Sequence, residues 1–170
     1  YENEFRIQTE ELIPNIAKKG FFPKRLYVDA FSEDGQFYGT TSDLINYFEN
    51  GISYINFLGH GGGGVWGDRS LFTFEDFDNL NNYKRLPFVT SMTCFTGDAN
   101  NPNTLGSRML SHSEGGAFGW FGSSGVGWMV NDYLLLKPIH DRLFNTSISS
   151  LPIGQLIDQS KTEYLFLNLI

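Results

Sequence analysis

The stretch Ile52-Ser53-Tyr54-Ile55-Asn56-Phe57-Leu58-Gly59-His60-Gly61-Gly62-Gly63-Gly64 decides the fold of this chain. Its first seven residues are rich in β-branched and aromatic side chains, and the run stops abruptly at Gly59, so residues 52–58 read as a buried strand. Residues 86–92 form the next strand, with Pro87 confined to its beginning, where no ladder donor is needed. Residues 117–121 read as a glycine-laced strand packed close to a neighbour. Upstream, residues 26–31 read as a strand followed by a turn-rich patch over 32–39.

Helix signals lie between these runs. Phe5, Leu12, Ile13, Ile16 and Ala17 are roughly helix-spaced, and Lys18, Lys19 and Gly20 supply a C-terminal stop. Thr40, Thr41 and Ser42 offer N-caps for a short helix carrying Leu44, Ile45, Tyr47 and Phe48, which Asn50 and Gly51 end. Thr73 starts a short amphipathic helix with Phe74, Phe77 and Leu80, and Leu105, Met109 and Leu110 mark another. Leu134, Leu135, Ile139, Leu143 and Phe144 share one face of a long helix, and a last helix follows Pro152. Strands separated by helices of this length pair in parallel through right-handed crossovers. The expected fold is therefore α/β, a three-layer α/β/α sandwich on a mostly parallel sheet. No repeat or low-complexity linker interrupts it, so residues 1–170 read as a single domain. A parallel sheet normally starts with a strand, whereas this chain opens in a helix. It reads as part of a larger polypeptide whose N-terminal strand or strands lie outside it.

Composition narrows the function. Of the 170 residues, 41% are apolar and 18% charged, which excludes a disordered tail or a coiled coil. Twelve Lys and Arg against nineteen Asp and Glu leave a net charge of −7, the wrong sign for nucleic acid or anionic lipid as main partner. The charge-free stretch 115–131 is too short and too glycine-rich to span a bilayer. One cysteine leaves no internal disulfide and no multi-Cys zinc site.

Ligands of open parallel sheets sit at the carboxyl ends of the strands, which directs attention to the loops after residues 58, 92 and 121. The first is the His60 loop with its four glycines, the second carries Cys94, and the third runs from Gly122 to Trp128. A lone histidine is usually a surface or satisfied core residue, and a single cysteine usually an inert small hydrophobe. Here both fall just beyond strand ends. If those strands are neighbours, their ends lie about 5 Å apart, close enough for an imidazole and a thiol to act as an activated pair. The chemistry that follows is acyl transfer. Cys94 would be the nucleophile, His60 would protonate the leaving amine, and the amides of Gly61 and Cys94 would hold the oxyanion.

Other motif readings lack a required part. His60-Gly61-Gly62-Gly63 is similar to the oxyanion loop of lipases, yet no serine has glycines at both −2 and +2. No Gly-Lys-Ser or Gly-Lys-Thr follows the glycines, as a phosphate loop would need. His112 and His140 are isolated, so no metal site is expected.

Taken together, Ile55-Asn56-Phe57-Leu58-Gly59-His60-Gly61-Gly62, Val65-Trp66-Gly67-Asp68 and Leu86-Pro87-Phe88-Val89-Thr90-Ser91-Met92-Thr93-Cys94 resemble the gingipain family of clan CD cysteine peptidases. Gly115-Gly116-Ala117, Ser123-Ser124, Trp128 and Asn131 extend the likeness, which covers roughly residues 27–144. The resemblance implies a caspase-like fold and a cysteine endopeptidase with a His60–Cys94 dyad and oxyanion amides from Gly61 and Cys94. By position Trp128 resembles the aromatic wall of the primary specificity pocket, against the alternative of an ordinary core indole. Asp68 reads as a helix cap or a ligand of loop amides. Residues around 91–97 are nearer to the sortase-like relatives of the type IX secretion system, so transpeptidation is a second expectation and an inactive binding or scaffold module a third. A protein or peptide substrate, no required cofactor, calcium as a structural ion at most, and an extracellular or bacterial cell-surface location are further implications of the resemblance. The acidic residues that in gingipains assist the histidine and read a basic substrate side chain have no recognisable counterpart before Tyr27.

Overall fold

The computed structural model describes residues 2–28, 35–67, 69–144 and 151–168. They gather into two compact units, one formed by residues 25–129 and the other by residues 1–24 with 130–170.

The larger unit is built on a parallel sheet. Its strands are β1 (Tyr54–Leu58), β5 (Phe88–Met92) and β6 (Gly119–Gly122), in the order β1-β5-β6. β5 is central and all five of its residues are buried, as a strand covered on both faces requires. Alternation sorts the sheet's side chains into two sets. Ile55, Phe57, Val89 and Trp120 point into a core shared with Leu44 and Phe48 of helix α2 (Thr41–Glu49) and with Leu105 and Met109 of helix α3 (Leu105–Ser111). On the opposite face the Tyr54 hydroxyl pairs with Thr90 Oγ1 at 2.6 Å, and Thr90 donates to Asn56 Oδ1 at 2.9 Å. Burial raises the Tyr54 phenol well above its ordinary range.

Local signals set the helix starts. Thr40 closes a capping box with Asp43, whose carboxylate takes the Thr40 amide at 2.8 Å and is held below the usual carboxylate range by Thr40's hydrogen bonds. Thr104 caps α3 by accepting the Ser107 amide at 3.2 Å. The helix expected from Thr73 is a 3₁₀ segment, Phe74–Asn79, whose Asp76 carboxylate accepts from the Thr73 amide and hydroxyl.

Two features depart from the sequence reading. The strand expected over 26–31 is a single bridge, Tyr27 with Tyr38, and residues 29–31 lie outside the described residues. A second sheet, not anticipated, joins β2 (Gly61–Gly62), β3 (Val65–Trp66) and β4 (Phe72–Thr73) as antiparallel two-residue strands. Such strands are too short, and the glycines too featureless, to leave a period-two pattern.

The smaller unit is helical: α1 (Glu2–Lys18), α4 (Met129–Leu143) and α5 (Ile153–Asn168). Leu12, Ile13, Leu136, Ile139 and Leu156 are its buried apolar side chains, and Tyr133 donates its hydroxyl to the Glu11 carboxylate. Arg142 and Glu163 form an ion pair of 2.6 Å between α4 and α5. Buried His140 packs edge-on to Phe144 at 5.5 Å between ring centres.

Candidate active site

Strand register does the positioning. β1 and β5 pair in parallel from Tyr54↔Phe88 to Leu58↔Met92, so the two strands end level with one another. His60 and Cys94 each stand two residues beyond those aligned ends, at corresponding places on adjacent strands. The Gly59 amide still reaches the Met92 carbonyl, at 3.4 Å, which carries the pairing one residue past the strand. His60 is exposed and Cys94 half-buried, so neither is a core residue.

Both loops are tied down by backbone. The His60 carbonyl accepts from the Gly67 amide at 2.8 Å, and Gly61 pairs with Trp66 across β2 and β3. Gly61 is hemmed in: a Cβ there would stand 2.6 Å from the Val65 carbonyl oxygen and 2.8 Å from Oγ1 of buried Thr93. Only a residue without a side chain fits between that ladder and the residue preceding the thiol. Gly63 accepts the Leu105 amide at 2.7 Å, fastening the glycine run to the start of α3.

The Cys94 loop is fastened to the chain after β6. The Phe95 amide donates to Gly125 at 2.8 Å and the Gly97 amide to Ser123 at 2.9 Å. Cys94 Sγ lies 4.0 Å from the Gly127 carbonyl. Phe95 takes φ of 61°, a left-handed conformation that an aromatic residue adopts only when its surroundings impose it. Beneath the loop, Trp66 Nε1 donates to Ser91 Oγ at 2.8 Å, and Ser91 shares a hydrogen bond of 2.8 Å with Thr96. The buried Trp66 indole is stacked between Phe57 and Trp120, at 4.9 and 5.5 Å. These aromatic and hydroxyl groups tie Ser91 and Thr96, which flank Cys94 in the chain, to the buried core.

The expected site residues fall as follows. His60, Gly61 and Cys94 all belong to the loops at the carboxyl edge of the sheet. Trp128 follows Gly127 and is two-thirds exposed, so it is not the core indole that the alternative supposed. Asp68 lies outside the described residues. Phe95 and Val126 were not singled out by sequence, nor was the hydrogen-bonded link from Trp66 through Ser91 to Thr96, although Trp66 and Ser91 are among the residues that carry the resemblance. An aromatic directly after the cysteine was the one available sign. Among the described residues no group of three or more His, Cys, Asp or Glu side chains is placed to hold a metal ion.

A parallel sheet with helices packed on it defines the class, a caspase-like α/β fold. Comparison with known proteins supplies the family. The sequence model of Peptidase family C25 matches residues 2–168, and the chain belongs to that family, the gingipains. It is 37% identical over 59 residues to gingipain R2 and to gingipain R1 of Porphyromonas gingivalis; the match to R2 spans 35% of this chain and 8% of the relative. Among solved structures it is similar to the Arg-specific cysteine proteinase gingipain R, with a TM-score of 0.79 and 17% identity over 95% of this chain and 37% of that one. A complex of the Porphyromonas gingivalis RgpB pro- and mature domains gives 0.75 at 18% identity, over 93% of this chain and 37% of that one. At these identities the structural matches show the shared fold. The chain spans well under half the length of the relatives it matches.

Proposed function

We propose that the protein containing this chain is a cysteine endopeptidase in which Cys94 and His60 form the catalytic dyad. The observation that carries this is the β1–β5 register, which sets imidazole and thiol at corresponding positions past level strand ends. Cys94, as thiolate, attacks the scissile carbonyl carbon. A C–S bond forms while the carbonyl π pair moves onto oxygen. The amides of Gly61 and Cys94 hold that oxyanion, and the tight seat of Gly61 against Val65 and Thr93 fixes its amide in advance. Collapse expels the amine, which takes its proton from His60. Water, deprotonated by His60, then attacks the thioester, releasing the acid and restoring the thiolate. Trp128 lines the pocket for the substrate side chain. Family membership supports a substrate that is a protein or peptide and a location outside the cell or on its surface. Among the described residues no helix is long and apolar enough to cross a membrane.

Cys94→Ala and His60→Ala in the full-length polypeptide test the reading against a peptide library. Each should abolish turnover while thermal unfolding stays close to the parent, since Cys and Ala differ little in volume and His60 is exposed. An amine nucleophile added to the parent enzyme separates hydrolysis from transpeptidation: hydrolysed product alone is expected, and ligated product would assign the sortase-like reaction. Turnover that persists in Cys94→Ala would refute the dyad, and an inert parent would leave a binding module.

A further inference from the structure

We infer that Thr93 is a positioning residue: its side chain is the spacer between the His60 loop and the Cys94 loop, and its shape, not its hydroxyl, sets the separation of the two oxyanion amides. The inference rests on Cys94 and Gly61 acting as proposed and adds the residue that holds their loops in register.

Three observations carry it. The first is place. Thr93 stands between Met92, which ends β5, and Cys94, while Gly61 follows His60 and opens β2. One residue therefore leaves the parallel sheet next to the thiol, and the other enters the antiparallel sheet next to the imidazole.

Contact is the second. Thr93 Oγ1 and Cγ2 lie 2.8 and 3.3 Å from the place a Cβ on Gly61 would take, so both branches of the threonine fill the space beside the glycine. Neither side of this contact can retreat. Gly61 pairs with Trp66 across β2 and β3, and the Trp66 indole is bonded to Ser91 at 2.8 Å. Ser91 and Met92, just before Thr93, are buried in the central strand. A side chain wedged between two fixed backbones sets their spacing, because close-packed interiors transmit changes of a single methyl group.

The third observation is the hydroxyl. Thr93 is only 2% exposed, and its Oγ1 is sealed from solvent with no hydrogen-bond partner among the described residues. An oxygen so enclosed does not touch substrate, so Thr93 is not a catalytic residue. With no hydrogen bond to make, the side chain acts through its branched shape. Valine has that shape without the desolvation cost of an unpaired hydroxyl.

Steady-state kinetics in the full-length protein, with kcat expressed per folded molecule, test the assignment. Thr93→Ala should lower kcat ~10-fold with KM nearly unchanged, because a loosened contact misplaces groups that act in the transition state. Thr93→Val should recover most of that loss. Thr93→Ser, which keeps the oxygen and drops Cγ2, should recover less. Gly61→Ala combined with Thr93→Ala should lose less than the product of the two single losses, since both act on one contact. Recovery by serine but not by valine, or a fully multiplicative loss in the pair, would overturn the spacer role. So would a Thr93→Ala protein that unfolds earlier yet turns over at the parent's rate. Each of those results leaves Cys94 as nucleophile. Turnover undiminished in Cys94→Ala, measured alongside, would overturn the dyad and this inference with it.

Discussion

Gly61→Ala tests the proposed oxyanion donor apart from the rest of the loop. The added methyl would stand 2.6 Å from the Val65 carbonyl oxygen and 2.8 Å from Thr93 Oγ1, well inside ordinary van der Waals contact. Val65 is held in the three-stranded antiparallel sheet, and Thr93, next to Cys94 in the chain, is buried, so neither yields freely. Relief has to come from a shift of the Gly61 backbone, which carries the amide proposed to hold the oxyanion. Loss of one such donor costs roughly 10²–10³ in kcat, and a partial displacement should fall at the lower end, about 10²-fold. Overpacking of this kind costs about 1–3 kcal/mol of stability. Gly62→Ala is the matched control, because its methyl would touch only Val65 Cγ1, at 3.7 Å. Steady-state kinetics on both variants in the full-length protein should show kcat falling about 10²-fold at position 61, KM nearly unchanged, and position 62 close to the parent. Equal losses in kcat and substrate affinity at 61, or the same defect at 62, would refute the oxyanion role.

Gly97→Ala should lower unfolding stability by about 2–3 kcal/mol in urea titration, because its methyl would lie 2.4 Å from the Gly122 carbonyl oxygen at the end of β6; an unchanged midpoint would contradict the close approach. Trp66→Phe removes the indole donor to Ser91 and part of the stack with Phe57 and Trp120, and should cost about 2 kcal/mol by the same measurement; a change below about 0.5 kcal/mol would show the link to Ser91 to be dispensable. His140 should make stability pH-dependent. Burial pushes it down to about 3 from an ordinary 6.5, so between those values the unfolded chain binds a proton there that the folded chain does not. Its contribution is fully present above the upper value and is lost as pH falls toward the lower one, at up to about 1.4 kcal/mol per pH unit. Unfolding curves across that window should flatten in His140→Phe, and an unaltered slope would count against the buried neutral imidazole.

The parallel sheet was legible because β1 is bounded by glycine and β5 by proline, and because Thr40 announces its helix; the Thr104 cap of α3 is visible only in the structure. Of the strand read over 26–31, residues 29–31 lie outside the described residues, and in the described part a single bridge from Tyr27 to Tyr38 is what forms. The β2–β4 sheet was illegible because it rests on backbone pairing of Gly61 and Gly62, residues with no side-chain pattern to read. At the site, the sequence singled out His60, Gly61 and Cys94 through their places at strand ends. It marked Trp66 through the family resemblance but not its hydrogen bond to Ser91 and through it to Thr96, which only the fold brings together, and it was silent on Phe95, whose strained backbone is a tertiary effect.

Trapping the intermediate tests the central claim most directly. Full-length protein mixed with a peptide ester and quenched within the first turnover should carry the acyl group as a thioester, mapped by mass spectrometry to Cys94, and His60→Ala should not accumulate it. Product released with no acyl mass on Cys94, or with the acyl group on another residue, would contradict the account.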